Sequence, residues 1–77
     1  MTLKTLRELP VGDECRVVGT AFRGSEKRRM LDLGIVRGTK VKALHKSPCG
    51  DPVADMIRGA VLAVRGSDAE KIFIGYR

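Results

Sequence analysis

The sequence contains 77 residues, 43% of them hydrophobic, and its 15 basic and nine acidic side chains give a formal net charge of +6. A chain of this size buries only about 60% of the surface that it exposes when unfolded, so we expect one domain, spanning residues 1–77. The longest apolar run, residues 60–64, is far shorter than the ~20 residues that span a bilayer, and the N-terminus lacks the apolar segment of a signal peptide. These absences indicate a cytoplasmic protein.

Cysteine content and charge narrow the function classes further. Cys15 and Cys49 are expected to be free thiols, because small disulfide-stapled domains normally contain several pairs of cysteines. The positive charge permits contact with nucleic acid, an anionic membrane surface or an acidic protein face. The few aromatic residues do not lie in a basic run, so the stacking platform of single-strand binders is missing. We therefore do not expect nucleic acid as a partner.

The first half of the chain predicts two strands and a helix. Residues 3–6 form a first extended segment, and after a turn residues 14–20 alternate as a strand, with Cys15 and Val17 on one face. The segment GSEKRRMLDLGI predicts an α-helix over about residues 25–33. Ser25 is its expected N-cap, and Gly34 is expected to end it in the left-handed conformation.

The second half predicts strands separated by a rigid corner. Residues 39–46 alternate so that His45 is expected on the inward face near the strand end. The corner SPCGDP follows, because Pro fixes φ and Gly50 can adopt positive φ. VADMIRG and AVLAVR then form two strands joined near Gly59, and a capping box of Ser67 and Glu70 predicts a helical turn over about residues 67–71 before the strand IFIGY. The whole is a mainly β fold, a small bent barrel of about five strands.

Metal binding and catalysis compete with plain structural roles for the polar residues. His45, Cys49 and Asp51 are candidate metal ligands by residue type and proximity, but neither Cys has a partner at CxxC spacing, so structural roles are favoured. The chain has one His to act as a base and no glycine-rich phosphate loop. We expect no catalytic residues, no cofactor and no enzymatic activity.

Two segments, RRMLDLGIVRGTKVKALHKSPCGDPV and IRGAVLAVRGSDAEKIFI, resemble the ferrous iron transport protein A (FeoA) family. The shared pattern is a helix closing on LGI, a GT-x-V strand, a GDP corner and an RG hairpin. This resemblance implies an SH3-like barrel with added helices and an accessory role in bacterial ferrous iron uptake. It also implies contact with the membrane transporter FeoB through the cytosolic GTPase domain of that transporter. It supplies no set of metal ligands.

The expected partner-binding surface combines the loop before the helix, the basic helix and the 47–52 corner. Its residues are Arg23, Lys27, Arg28, Arg29, Pro48, Asp51 and Pro52. Two alternatives stay open: a nucleic-acid-binding or repressor-associated SH3-like module, and a metal sensor or carrier. Short edge strands within residues 53–65 could also pair between copies of the chain. Asp55 stands out, because an apolar side chain is expected at its position in the strand.

Overall fold

The structure, a computed structural model, describes residues 4–75 as one six-stranded antiparallel sheet with three short helices. The sheet order is β1-β6-β2-β3-β4-β5. The strands are β1 (Lys4–Thr5), β2 (Glu14–Thr20), β3 (Lys40–Lys46), β4 (Val53–Ile57), β5 (Ala60–Val64) and β6 (Ile72–Gly75). The helices are a 3-10 helix (Leu6–Glu8), α1 (Gly24–Asp32) and α2 (Gly66–Ala69).

The mainly β class is confirmed, and the predicted strands and helices follow one another in the predicted order. The 3-10 helix Leu6–Glu8 was not predicted, and it includes Leu6, which was expected in the first extended segment. The sheet has six strands rather than about five, because the two-residue β1 pairs with β6. Tyr76, predicted at the end of the last strand, lies outside the described residues, as does Leu3. Within residues 4–75, no helix is long and apolar enough to cross a membrane.

The core lies where the strands turn alternate side chains inward. In β2, Cys15 and Val17 are buried while Arg16 and Val18 are exposed, as the alternation predicts. Fourteen buried apolar residues form one cluster, to which every strand except the short β1 contributes. The centre of the cluster is nearly dry: Val17, Val41, Ile57 and Ile72 expose at most 1% of their surfaces. Each such side chain contributes about 1.5–3 kcal/mol by burial.

The predicted inward orientation of His45 is wrong. Ala43 pairs with Asp55, and the next paired residue of β3 is His45, opposite Ala54, so the strand contains one extra residue there. This irregularity reverses the alternation, as a β-bulge does. Leu44 is half-buried and His45 is exposed as a result.

The end of α1 is as predicted, and its beginning is not. The Gly34 amide donates to the Leu31 carbonyl at 3.0 Å and the Ile35 amide donates to Met30 at 2.9 Å. Gly34 has φ 88, so the three features together form a Schellman motif that packs Ile35 near Met30 in the core. Ser25 is not the N-cap: the helix begins at Gly24, and Ser25 already belongs to its first turn.

The predicted capping box of Ser67 and Glu70 is also wrong. The helix α2 begins one residue earlier, at Gly66, and has no side-chain cap from its own segment. Asp51 takes that role from 15 residues away, because its Oδ1 accepts a 2.7 Å hydrogen bond from the Gly66 amide. A comparable box exists at the 3-10 helix, where the Glu8 carboxylate accepts from the Thr5 amide at 2.8 Å.

Candidate functional site

The exposed cations of the predicted partner surface lie along one short helix. Arg23 precedes α1, and Lys27, Arg28 and Arg29 are exposed on it. In the described part of the chain none of these four forms an ion pair. The acid of the first turn, Glu26, is instead held by Lys71 at 3.4 Å. The helix therefore presents cations without internal partners to whatever approaches it.

The 47–52 corner is closed by its own hydrogen bonds. The Ser47 amide and hydroxyl both donate to the Pro52 carbonyl, at 3.1 and 2.8 Å, and the Gly50 amide donates to Ser47 at 2.7 Å. The Asp51–Pro52 peptide bond is cis. Because Asp51 also caps α2, the corner is fastened to a second element. Pro48 and Asp51 are exposed and Pro52 is half-buried.

The basic helix and the corner do not touch by any hydrogen bond or ion pair between described residues. They flank β5. A cavity of about 130 Å³ is lined by Arg29 and Ala63, among others, and a second one of about 400 Å³ by Asp51, Pro52 and the same Ala63. The predicted residues thus form two patches with an edge strand between them.

Exposed apolar residues accompany these patches, and the sequence did not reveal them. Leu31 is 50% exposed, Leu33 37% and Val61 56%. Met30 and Leu33 are three residues apart and so fall on one side of a helix, but only Met30 of α1 enters the core. Arginine is enriched at protein interfaces, and exposed apolar patches rimmed by polar residues mark interaction sites. The available sequence signal was the shortness of α1, since a nine-residue helix that ends in a tight turn buries little of one face.

The candidate metal ligands are not assembled. His45 is exposed on the bulged part of β3, Cys49 is exposed in the corner, and the Asp51 carboxylate is hydrogen-bonded to Gly66. Over residues 4–75 there is no group of three or more His, Cys, Asp or Glu side chains placed to hold a metal ion.

Asp55 is the most unusual polar residue of the fold. It is 2% exposed, and its Oδ1 has no hydrogen-bonding partner among the described residues. Burial raises the pKa of the Asp55 carboxyl from 3.8 to about 6. Burial, and secondarily the charge of Asp55, raise the pKa of the Cys15 thiol to about 11. Cys15 is therefore a protonated core residue, whereas Asp55 is largely ionised at neutral pH despite its surroundings.

Solved structures of FeoA proteins are among those that share this fold. The FeoA protein of Chlorobium tepidum superposes with a TM-score of 0.88 at 38% sequence identity, covering 95% of this chain and 70% of that one. The FeoA of Stenotrophomonas maltophilia, described as an SH3 domain protein and solved in complex with zinc, gives 0.80 at 28% identity, covering 94% and 89%. The SH3-like fold is thus confirmed.

Sequence comparisons agree with the fold. The chain is 34% identical over 67 residues to the Fe(2+) transport protein A/Fe(2+) transporter FeoB fusion protein of Porphyromonas gingivalis. That match covers 87% of this chain but only 8% of the fusion protein, so the chain spans less than a tenth of that relative. The model of the FeoA domain matches residues 4–75, nearly the whole sequence. The chain therefore belongs to the FeoA family.

Proposed function

We propose that this chain is a cytoplasmic accessory protein of ferrous iron uptake that binds the cytosolic GTPase domain of a FeoB-type transporter. The observation that carries the proposal is the P. gingivalis relative, in which a segment similar to this chain and a FeoB transporter belong to one polypeptide. Fusion keeps two domains at a high effective concentration without a strong interface. Association that does not depend on fusion needs a binding surface, and we infer that this chain acts by binding rather than by catalysis.

The surface proposed for this contact consists of the α1 cations, the exposed leucines beside them and the 47–52 corner. Lys27, Arg28 and Arg29 supply charge that would steer an acidic face of the transporter domain toward the chain. Leu31 and Leu33 supply apolar area next to that charge. Because the corner is fixed to α2 by Asp51, it offers a preformed edge.

Binding of the purified transporter GTPase domain to the immobilised chain, with and without guanine nucleotide, tests the proposal. The double variant Lys27→Glu/Arg28→Glu should bind about tenfold more weakly at low salt, with a smaller difference when salt screens the charges. The matched control is Arg37→Glu/Lys42→Glu, which makes the same change in net charge at exposed positions away from α1. Equal weakening by the two variants would assign the effect to net charge alone, and no binding by the wild-type chain would refute the proposal.

Nucleic acid is the competing partner, and one observation favours it. A cavity of about 520 Å³ is lined by Arg37, Lys40, Lys42 and Arg58, with Glu14 as the acid among its described lining residues. Glu14 lies 3.6 Å from Lys40, so the cavity retains a positive excess suited to phosphate. A fluorescence titration with duplex and single-stranded DNA decides between the two. Affinity tighter than the ~10⁻⁴–10⁻⁶ M of non-specific binding, with a steep salt slope, would favour nucleic acid.

A further inference from the structure

Asp55 lines a cavity, and it occupies a buried position of the sheet where an apolar side chain is expected. The residue lies in the middle of β4, paired with Ala43 on one side and Leu62 on the other. It is 2% exposed, and one of its carboxylate oxygens has no donor in the described part of the chain. Buried polar groups are almost always satisfied, so an unsatisfied carboxylate at a cavity wall indicates a place for a ligand that donates hydrogen bonds.

The cavity is large enough to hold more than a bridging water. Its volume is about 300 Å³, against the roughly 30 Å³ that one water occupies in the liquid. Much of its wall is apolar and comes from the 3-10 helix, β4, β5 and α2; the apolar residues are Leu6, Leu9, Val53, Val64 and Ala69. A ligand that fits this lining has an alkyl part as well as a donor group.

One acid of the cavity wall has an oxygen without a donor among the described residues. The wall contains two basic residues, Arg7 and Lys46, and two acidic ones, Asp51 and Asp55. Arg7 is paired with Glu70 at 2.8 Å, and Asp51 caps α2. Asp55 is the carboxylate with the unsatisfied oxygen, so the cavity offers an acceptor there for a positively charged donor group.

A metal ion does not fit these walls. Cys49 and Asp51 also line the cavity, yet no three His, Cys, Asp or Glu side chains within residues 4–75 are placed to hold a metal. Hard divalent cations require six or more oxygen ligands, and transition metals require a compact set of nitrogen or sulfur atoms. An organic cation needs only one buried carboxylate for its charged group and apolar side chains that contact its alkyl chain.

We propose that this cavity binds an alkylammonium or alkylguanidinium group, with the cation donating to Asp55 and its stem packed against Leu6 and Leu9. The arginine and lysine side chains of a partner polypeptide carry this chemistry, and so do free diamines and agmatine. The cavity shares the 47–52 corner with the surface proposed for the transporter, but none of the α1 cations lines it. Charge reversal at Lys27 and Arg28 tests the transporter contact and Asp55→Asn tests this site, so failure of one is distinguishable from failure of the other.

The test is a nuclear magnetic resonance titration of the whole chain labelled with ¹³C at its Asp carboxyl carbons. At a pH well above the Asp55 pKa of about 6, the carboxylate is ionised. The peptide Ac-Gly-Arg-Gly-NH₂ should shift the Asp55 signal in a saturable manner, with a dissociation constant of order 1 mM. The same peptide with citrulline in place of arginine is uncharged and should leave the signal unmoved. Agmatine is the second ligand, and saturation by agmatine alone would assign the site to small amines.

Two variants complete the design. Asp55→Asn keeps the size of the side chain and removes its charge, so arginine peptide binding, followed on amide signals, should weaken by about tenfold or more. Asp68→Asn removes a carboxylate outside this cavity and should bind as the wild-type chain does. Amide spectra confirm that each variant is folded. Equal shifts with arginine and citrulline peptides, no shift with either cation, or unchanged binding by Asp55→Asn would overturn the proposal.

Discussion

Among single residues, Asp51 and Asp55 have the same side chain but differ in burial and in hydrogen bonding. Asp51 is exposed, yet its Oδ1 accepts a hydrogen bond from the Gly66 amide. Asp55 is buried, yet it has an oxygen without a donor among the described residues. Leaving a buried acceptor unsatisfied costs about 1–3 kcal/mol. The fold tolerates this cost at one position in its core, and that position faces a cavity.

Replacing Asp55 by Val should stabilise the chain and change its response to pH. The pKa of Asp55 is raised in the folded state, so folded chains bind its proton more tightly than unfolded ones. The contribution of Asp55 to stability should therefore be greatest at and below about pH 4, fall as the pH rises towards about 6, and stay low above that. A shift from 3.8 to about 6 corresponds to roughly 3 kcal/mol.

Urea unfolding at a series of pH values measures this difference. The Asp55→Val variant should be more stable than the wild-type chain above pH 6 and should approach it near pH 4. Loss of the Asp55 cation site in a more stable variant would show that stability is traded for binding. A variant that is less stable than wild type at neutral pH would contradict a destabilising effect of the buried Asp55 charge.

Asp51 is expected to contribute by capping. Removing its acceptor in Asp51→Ala should cost about 1 kcal/mol, the usual value for the loss of a helix cap. Asp51→Asn keeps an acceptor oxygen at the same place, and it should lose less than half of that amount. Thermal or urea unfolding of the two variants, compared at the same pH, separates the hydrogen bond from the charge. Equal destabilisation by both would mean that the negative charge, not the acceptor, is what matters.

At the scale of elements, the end of α1 joins the helix to the β4–β5 hairpin. Arg58, in the hairpin turn, has φ 53, and its side chain crosses Gly34 so closely that a Cβ at that glycine would overlap Arg58 Cδ. Left-handed conformations are unfavourable for residues with a Cβ by roughly 1–2 kcal/mol. Two neighbouring elements thus both depend on positive φ at their point of contact.

A pair of glycine variants separates backbone strain from crowding. Gly34→Ala should destabilise the chain both through its φ of 88 and through overlap with Arg58. Gly38→Ala has a similar φ of 93 but open space around the new Cβ, so it measures backbone strain alone, about 1 kcal/mol. Unfolding free energies should rank wild type, Gly38→Ala and Gly34→Ala in that order. Equal losses would show that Arg58 moves aside without cost.

The helix ends and the bulge show which parts of the fold can be predicted from residues close together in the sequence. The end of α1 was predictable because Gly34 and Ile35 act within six residues of Met30. The bulge that exposes His45 was not, because it depends on the register between β3 and β4. The cap of α2 was missed for a similar reason. The local Ser67–Glu70 pattern predicted the cap, but the acceptor in the structure is Asp51, 15 residues from Gly66.

At the scale of the whole molecule, the sheet is open at β5. This strand ends the sheet order, pairs only with β4 in the described structure, and has Val61 56% exposed. Unpaired edges of this kind template pairing between chains.

The candidate site, like the fold, has one part that could be predicted from the sequence and another that could not. The basic face of α1 was visible in the sequence, whereas its separation from the corner by β5 and the cavity beside Asp55 arise only from tertiary packing.

We expect weak, concentration-dependent dimers formed through β5. Light scattering after size-exclusion chromatography should give a mass that rises with concentration for the wild-type chain. Val61→Lys places a charge on the exposed strand and should keep the chain monomeric. Val11→Lys is the matched control, since Val11 is also exposed, at 45%, but lies in a loop. A monomeric wild-type chain at all concentrations would exclude this mode of association.

The two thiols differ in reactivity because one is buried and the other is exposed. Cys15 is buried with a pKa of about 11, while Cys49 is exposed in the corner and lines the Asp55 cavity. Because the thiolate is the reactive form, a disulfide reagent should modify one thiol in the folded chain and two in denaturant. A fluorophore attached through Cys49 would then lie in or beside that cavity, which Cys49 lines. Without any substitution, the folded chain can thus be labelled at Cys49 alone, and entry of a ligand into the cavity can be followed by the fluorescence of that label.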